Sequence, residues 1–158
     1  TVFKPSPTNT IRKTPTVYRT KTPSPTKTAK PTPWGSPAKI TAKMPKSIPC
    51  TAWEKDGCRW NFSVTFQSEN GIGVKVERIR RVFYTSKGTA YVIGYGTGWG
   101  TYNLSIPPTG TKPFSSWVRT KFNSDKDLRK GSVVITYEGY DDHGNFFTGT
   151  VKATLASN

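Results

Sequence analysis

Ten of the 13 prolines in this 158-residue chain fall within residues 1–49, and the same stretch holds ten Lys or Arg and no acidic residue. Proline removes a backbone donor and fixes φ, so a segment punctuated this way has no regular helix or central strand open to it. Only 12 of its residues belong to the hydrophobic set, three of them Ala. That is too little apolar area to offset the entropy of ordering a backbone, and the stretch cannot form a domain by itself. The remaining 109 residues hold 40 of the 52 hydrophobic residues, including 17 aromatics. At that size they can bury one sandwich-sized core. The boundaries that follow are an arm over residues 1–37 and a globular domain over residues 38–158.

Residues 14–33, TPTVYRTKTPSPTKTAKPTP, show neither a 3.6-residue nor a two-residue apolar period. They read as an extended, semi-rigid, polyproline-II-like segment. Three islands break the pattern: Val2 with Phe3, Ile11, and Val17 with Tyr18. Each offers anchors for adding an extended strand to a neighbour's sheet edge, where backbone hydrogen bonds give affinity and alternate side chains fill pockets. Lys21, Lys27 and Lys30 give the arm a basic character, and Thr beside Pro is also the composition of O-glycosylated stalks. A plain surface linker is the alternative reading.

From Lys39 onward the chain changes character. Val and Ile together number 19 in the sequence against three Leu, and no helix-length amphipathic window occurs. The fold class expected is all-β, with strands near 38–43, 59–67, 73–85, 89–95, 101–106, 114–122, 131–140 and 145–155. Seven or eight antiparallel strands with turns between most pairs describe a sandwich. The clearest hairpin runs through Asp141, Asp142, His143, Gly144 and Asn145, and a second tight turn is expected at Asn70-Gly71. Trp60 and Trp117 are assigned to the core.

The segments NFSVTFQSENGIGVKVERIRRVFYTSKGT and ITYEGYDDHGNFFTGTVKATL resemble immunoglobulin-like or fibronectin-III-like sandwich modules of secreted bacterial proteins, over about residues 50–156. The resemblance rests on turn chemistry. It implies an immunoglobulin-like sandwich acting as a spacer, a binding unit or an assembly subunit, with no catalytic residues to carry over.

Cys50 and Cys58 are close enough to close a small ring, and a disulfide there favours an oxidising, extracellular or cell-surface location. The chain begins at Thr1 rather than Met, as a processed mature protein would, and no run approaches the 18 apolar residues of a membrane span. His143 is the sole histidine, and nucleophile-elbow, zinc-protease, phosphate-loop and dinucleotide motifs are absent. No catalytic residue, metal or cofactor is therefore expected. The formal charge of +15 would attract polyanions. Arg78, Arg80 and Arg81 are expected to form a basic strand face, but no nucleic-acid-binding motif accompanies them. Tyr95, Trp99 and Tyr102, spaced by glycines, form a candidate aromatic contact surface for sugar rings or a proline-rich chain. The alternative is that these aromatics fill the core.

Together these features lead to a secreted, non-enzymatic structural protein. Its arm would dock on copies of the same chain to build a filament or surface assembly. The second expectation is a cell-wall or polysaccharide-binding module on a basic spacer, with an anionic cell-surface polymer or glycan as partner.

Overall fold

The computed structural model of the protein describes residues 35–92, 97–122, 124 and 126–157. Ten strands form two sheets: β1 (Ile40–Lys43), β2 (Ser47–Ile48), β3 (Thr51–Trp53), β4 (Gly57–Ser68), β5 (Val74–Tyr84), β6 (Ala90–Val92), β7 (Trp99–Ile106), β8 (Thr111–Lys121), β9 (Ser132–Asp141) and β10 (Phe146–Leu155). No helix occurs among the described residues. Each of the eight expected strand segments contains a strand. The count is ten rather than seven or eight, because β2 and β3 are short pieces in a stretch interrupted by Pro45 and Pro49, where no alternation is visible.

In the first sheet β8 pairs with β4 along one whole edge, from Gly57↔Lys121 to Gln67↔Thr111. The other edge of β4 is shared by β1, opposite Thr65–Ser68, and β3, opposite Gly57–Arg59. Between those two strands the chain leaves the sheet, and β2 joins the second sheet beside β10. The second sheet runs β2-β10-β9-β5, with β6 and β7 in line along the far edge of β5. The β2–β10 pair is parallel, so the all-antiparallel expectation is corrected there. The cause is the direction of travel: β1 and β2 are one course of chain that switches sheets, and it runs alongside the last strand.

Period-two alternation builds the core from both sheets. Trp60, Phe62, Val64 and Phe66 line the inner face of β4, and Phe114 and Val118 that of β8. They meet Val74, Val76, Ile79 and Phe83 of β5, Val133, Ile135 and Tyr137 of β9, and Ala153 and Leu155 of β10. Trp60 is fully buried, and its indole N–H donates to the Ala156 carbonyl at 2.8 Å, so its one polar group is satisfied. On β5 the alternation is broken once. Val76 faces Gly139 and Arg78 faces Glu138, leaving Glu77 as an extra residue. This bulge turns Ile79 and Phe83 inward after Val74 and Val76.

The expected turns are present, and Gly71 and Gly144 take φ values of 74° and 78°, which residues with a Cβ rarely adopt. At the second turn the buried Asp141 carboxylate collects four hydrogen bonds. The backbone N–H groups of Ala38 (2.8 Å), His143 (2.9 Å) and Asn145 (2.8 Å) donate to it, as does the Asn145 side-chain amide (3.1 Å). Burial alone would raise its pKa, and these donors outweigh burial and hold it below the usual carboxylate value.

Cys50 and Cys58 form a disulfide with a Cα–Cα distance of 5.5 Å, stapling the start of β3 to β4. Replacing both by Ala should cost about 2.5 kcal/mol, the chain-entropy value for so short a ring. Chemical denaturation of the two forms checks this. Asp141 generates a separate expectation. A depressed folded-state pKa contributes stability above the unfolded value of about 3.9, and that stability is lost as pH falls through the folded pKa. Asp141→Asn should therefore cost about 1–3 kcal/mol at neutral pH. It should also flatten the loss of stability below about pH 4 in pH-dependent melts.

Candidate ligand-binding face

The outer face of the first sheet is set by what the inner face takes. With Trp60 and Phe62 inward on β4, Arg59, Asn61 and Ser63 point outward. With Phe114 and Val118 inward on β8, Ser115, Trp117 and Arg119 do the same. The β4–β8 register then places Arg59 beside Arg119, Asn61 beside Trp117 and Ser63 beside Ser115. Trp117 is 48% exposed, which corrects its assignment to the core. The physical reason is parity: of the adjacent pair Trp117-Val118 only one can face inward, and Val118 does, at 3% exposure.

The guanidinium carbons of Arg59 and Arg119 lie 4.7 Å and 5.6 Å from the Trp117 ring centroid. Such contacts are worth about 0.5–1 kcal/mol at an exposed site. Arg59 Nε donates to Asn61 Oδ1 at 2.9 Å, and Arg59 makes no ion pair among the described residues. Both arginines lie on the Lys121 side of Trp117. On its other side a shallow hollow of about 400 Å³ is lined by Asn61, Ser63, Ser115 and Trp117. One flank of the indole is thus backed by positive charge, and the other borders small polar side chains.

The second sheet divides the expected basic face in two. Arg78 and Arg80 point outward, whereas Arg81 turns into the seam between the sheets, where its Nη1 donates to Ser116 Oγ of β8 at 2.8 Å. The bulge at Glu77 and the alternation after it impose this split. Arg78 pairs with Glu138 at 3.0 Å and stacks on Trp99 at 4.8 Å from the ring centroid, so its charge is largely compensated locally. The Nε atoms of Arg80 and Arg81 are buried and lack a hydrogen-bond partner among the described residues.

The candidate aromatic surface divides as well. Trp99 faces outward beside Arg80, while Tyr102 is half-buried and packs edge-on against Phe114 at 4.9 Å. Tyr95 lies outside the described residues, as do Val2, Phe3, Ile11, Val17, Tyr18, Lys21, Lys27 and Lys30. His143 sits in its turn with Nδ1 3.0 Å from the Ser36 carbonyl oxygen.

Among the described residues no group of three or more His, Cys, Asp or Glu could hold a metal ion. A hollow of about 620 Å³ is lined by Thr85, Ser86, Lys87, Thr89, Tyr91, Ser124 and Asp127, and its one carboxylate is bound by Arg129. The pairing of Trp117 with Arg59 escaped the sequence reading, although RWN and SWVR each carry an outward residue beside an inward one. Which residue of each pair faces outward, and which meet, is set by the β4–β8 register.

No family model and no curated protein matches the chain. Among solved structures it is similar to the putative ApaA protein from Bordetella pertussis, with a TM-score of 0.58 and 11% identity over 77% of this chain and 98% of that one. It is also similar to a structural genomics target designated SoR45, with a TM-score of 0.54 and 12% identity over 77% and 89% of the two chains. At these identities the likeness shows a shared fold alone.

The two tryptophans now assigned to opposite environments should differ in energetic weight. Trp60→Ala should destabilise by about 3–5 kcal/mol, as loss of a buried aromatic does. Trp117→Ala should cost only about 1 kcal/mol, the scale of its cation–π contacts. Denaturant titrations of both variants make the comparison.

Proposed function

We propose that the protein is a non-catalytic, extracellular immunoglobulin-like module that binds an acidic polysaccharide on its β4–β8 face. The observation that carries this reading is the exposed Trp117, set between the guanidiniums of Arg59 and Arg119 and a hollow lined by Asn61, Ser63 and Ser115. The apolar face of a sugar ring stacks on the open flank of the indole, and ring hydroxyls meet Asn61, Ser63 and Ser115. A carboxylate or sulfate on the sugar pairs with Arg59. A flat sheet face suits an internal segment of a polymer, whereas a small molecule needs an enclosing pocket.

The finer fold and the location have their own support. The groups β1-β4-β8 and β5-β9-β10 correspond to the A-B-E and C-F-G strands of immunoglobulin-type sandwiches. The Cys50–Cys58 disulfide favours an oxidising compartment. The basic arm adds long-range attraction without specificity. Assembly through the arm is the second reading, favoured by the open sheet edges along β8 and β10 among the described residues.

Affinity electrophoresis in gels containing polygalacturonate or neutral dextran tests the binding reading. Polygalacturonate should retard the protein and dextran should not. Trp117→Ala and Arg59→Gln should each weaken binding about tenfold, equivalent to about 1.4 kcal/mol. Replacing Lys21, Lys27 and Lys30 by Gln should mainly reduce the salt dependence. Retardation that survives loss of Trp117 but disappears with the three lysines would mean charge attraction alone, and the reading would fail.

A further inference from the structure

We propose that the open edge of β10, Phe146–Lys152, accepts a strand from the arm of a second copy of this chain, with Thr16–Thr22 as the strand that adds. The inference does not rest on the polysaccharide reading, which uses the other sheet.

β10 pairs with β9 along one edge, and on its other edge β2 covers only Thr154 and Leu155. Thr154 N donates to Lys46 O and Ala156 N to Ile48 O on that second edge, while Leu155 N donates to Gly131 O on the β9 side. Even-numbered residues of β10 therefore turn their backbone groups to the open edge. Thr148, Thr150 and Lys152 present N–H and C=O there with no partner among the described residues, and all three are exposed. No proline or register shift interrupts β10, and such devices are how sheet edges are normally protected.

The other long edge is defended. Phe122 N donates to Asp56 O, so the even-numbered residues of β8 face β4 and the odd ones face outward. Pro113 is among the outward set and offers no N–H. Lys112, Arg119 and Lys121 also flank that edge. Residues 1–34 carry seven Lys or Arg and no acid, so like charge disfavours the arm on β8. Along Phe146–Lys152 the β10 edge has only Lys152.

Length and position also agree. Ser36 O and Ala38 N are held by His143 and Asp141, so the arm departs at the Phe146 end of this edge. Prolines 15 and 23 bound a seven-residue stretch, Thr16–Thr22, that matches Phe146–Lys152 residue for residue. Three of its residues are Thr and one is Val, which suit a strand. Tyr18 gives it an aromatic anchor for Phe146, which is 54% exposed and packs edge-on against Tyr140 at 5.4 Å. Residues 23–34 hold four prolines and favour an extended run of about 37 Å at roughly 3.1 Å per residue. A run of that length would let the strand reach the β10 edge of a neighbouring copy. A head-to-tail exchange of this kind propagates into open fibres unless it closes as a ring.

Sedimentation velocity of the full chain, from micromolar to near-millimolar concentration, should show mass rising with concentration. Thr150→Pro, which removes an edge-facing N–H, should weaken association about tenfold or more, and so should the paired change Val17→Ser with Tyr18→Ser. Ser115→Pro on the β8 edge should leave association unchanged, and polygalacturonate retardation should persist in the Thr150→Pro and arm variants. If Thr150→Pro lowers the melting temperature, the arm variant decides, since its changes lie outside the sandwich. A peptide of residues 14–22 should then also dissolve the multimers. A chain that stays monomeric, association that survives the arm variant, or association abolished by Ser115→Pro would overturn the proposal.

Discussion

The inner face of β4 is the constraint on which the rest of the structure depends. Four consecutive inward positions, Trp60, Phe62, Val64 and Phe66, are at most 5% exposed, and no other strand contributes as much volume to the core. Because β4 is paired on both edges, that face is held rigidly against the second sheet. Trp60 alone reaches across to the Ala156 carbonyl, just past the end of β10. Committing these residues inward leaves Arg59, Asn61 and Ser63 no choice but the outer face. The Trp117 platform is thus a consequence of core packing in a strand whose two faces carry different chemistry.

On the second sheet a single extra residue has a comparable effect. Without Glu77 as a bulge, Arg78 and Arg80 would follow Val74 and Val76 inward, Ile79 and Phe83 would turn outward, and two guanidiniums would need burial in the core. Burying unpaired charge costs several kcal/mol per ion, far more than a bulge does. The bulge sends Arg78 to Glu138 and leaves only Arg81 at the seam, where Ser116 meets one of its donors. On β7 plain alternation places Trp99 and Tyr102 on opposite faces, since strand residues three apart cannot share one. The continuous basic and aromatic surfaces expected from the sequence are broken by geometry, even though every residue type in them was correctly noted.

Strand positions were legible because β-branched residues alternate with polar ones over long runs, as in Val133–Tyr137 and Phe147–Leu155. The turns at Asn70-Gly71 and Asp141–Asn145 were legible because they need residues that tolerate positive φ or cap their own backbone. Three things were not. β2 and β3 are two and three residues long and lie beside Pro45 and Pro49, so they carry no period to detect. A bulge has no signature inside a run such as ERIRR, which reads equally well in either register. The side taken by Trp117 depends on its partner strand, and local sequence cannot choose between two adjacent large apolar residues. The binding face was therefore hidden by pairing, although its residues were in plain view.

Asp141 links what was legible to what was not. Its place in an Asp-Asp-His-Gly-Asn turn marks it as a turn former, and two of its acceptor roles, to His143 and Asn145, are of that local kind. The bond from Ala38 N is different, because it spans 103 residues and ties the start of the domain to the last hairpin. Together with the contact of His143 Nδ1 with the Ser36 carbonyl, it fixes where the arm meets the sandwich. A carboxylate with only local partners would satisfy the turn equally well and leave Ala38 N without this acceptor. With the fourth donor in place, the junction of arm and domain shares the stability of the β9–β10 hairpin. The junction is tied to the β4–β5 turn as well, where Asn70 accepts from Lys39 N and donates to the Pro37 carbonyl, so a load on the arm reaches both sheets at once.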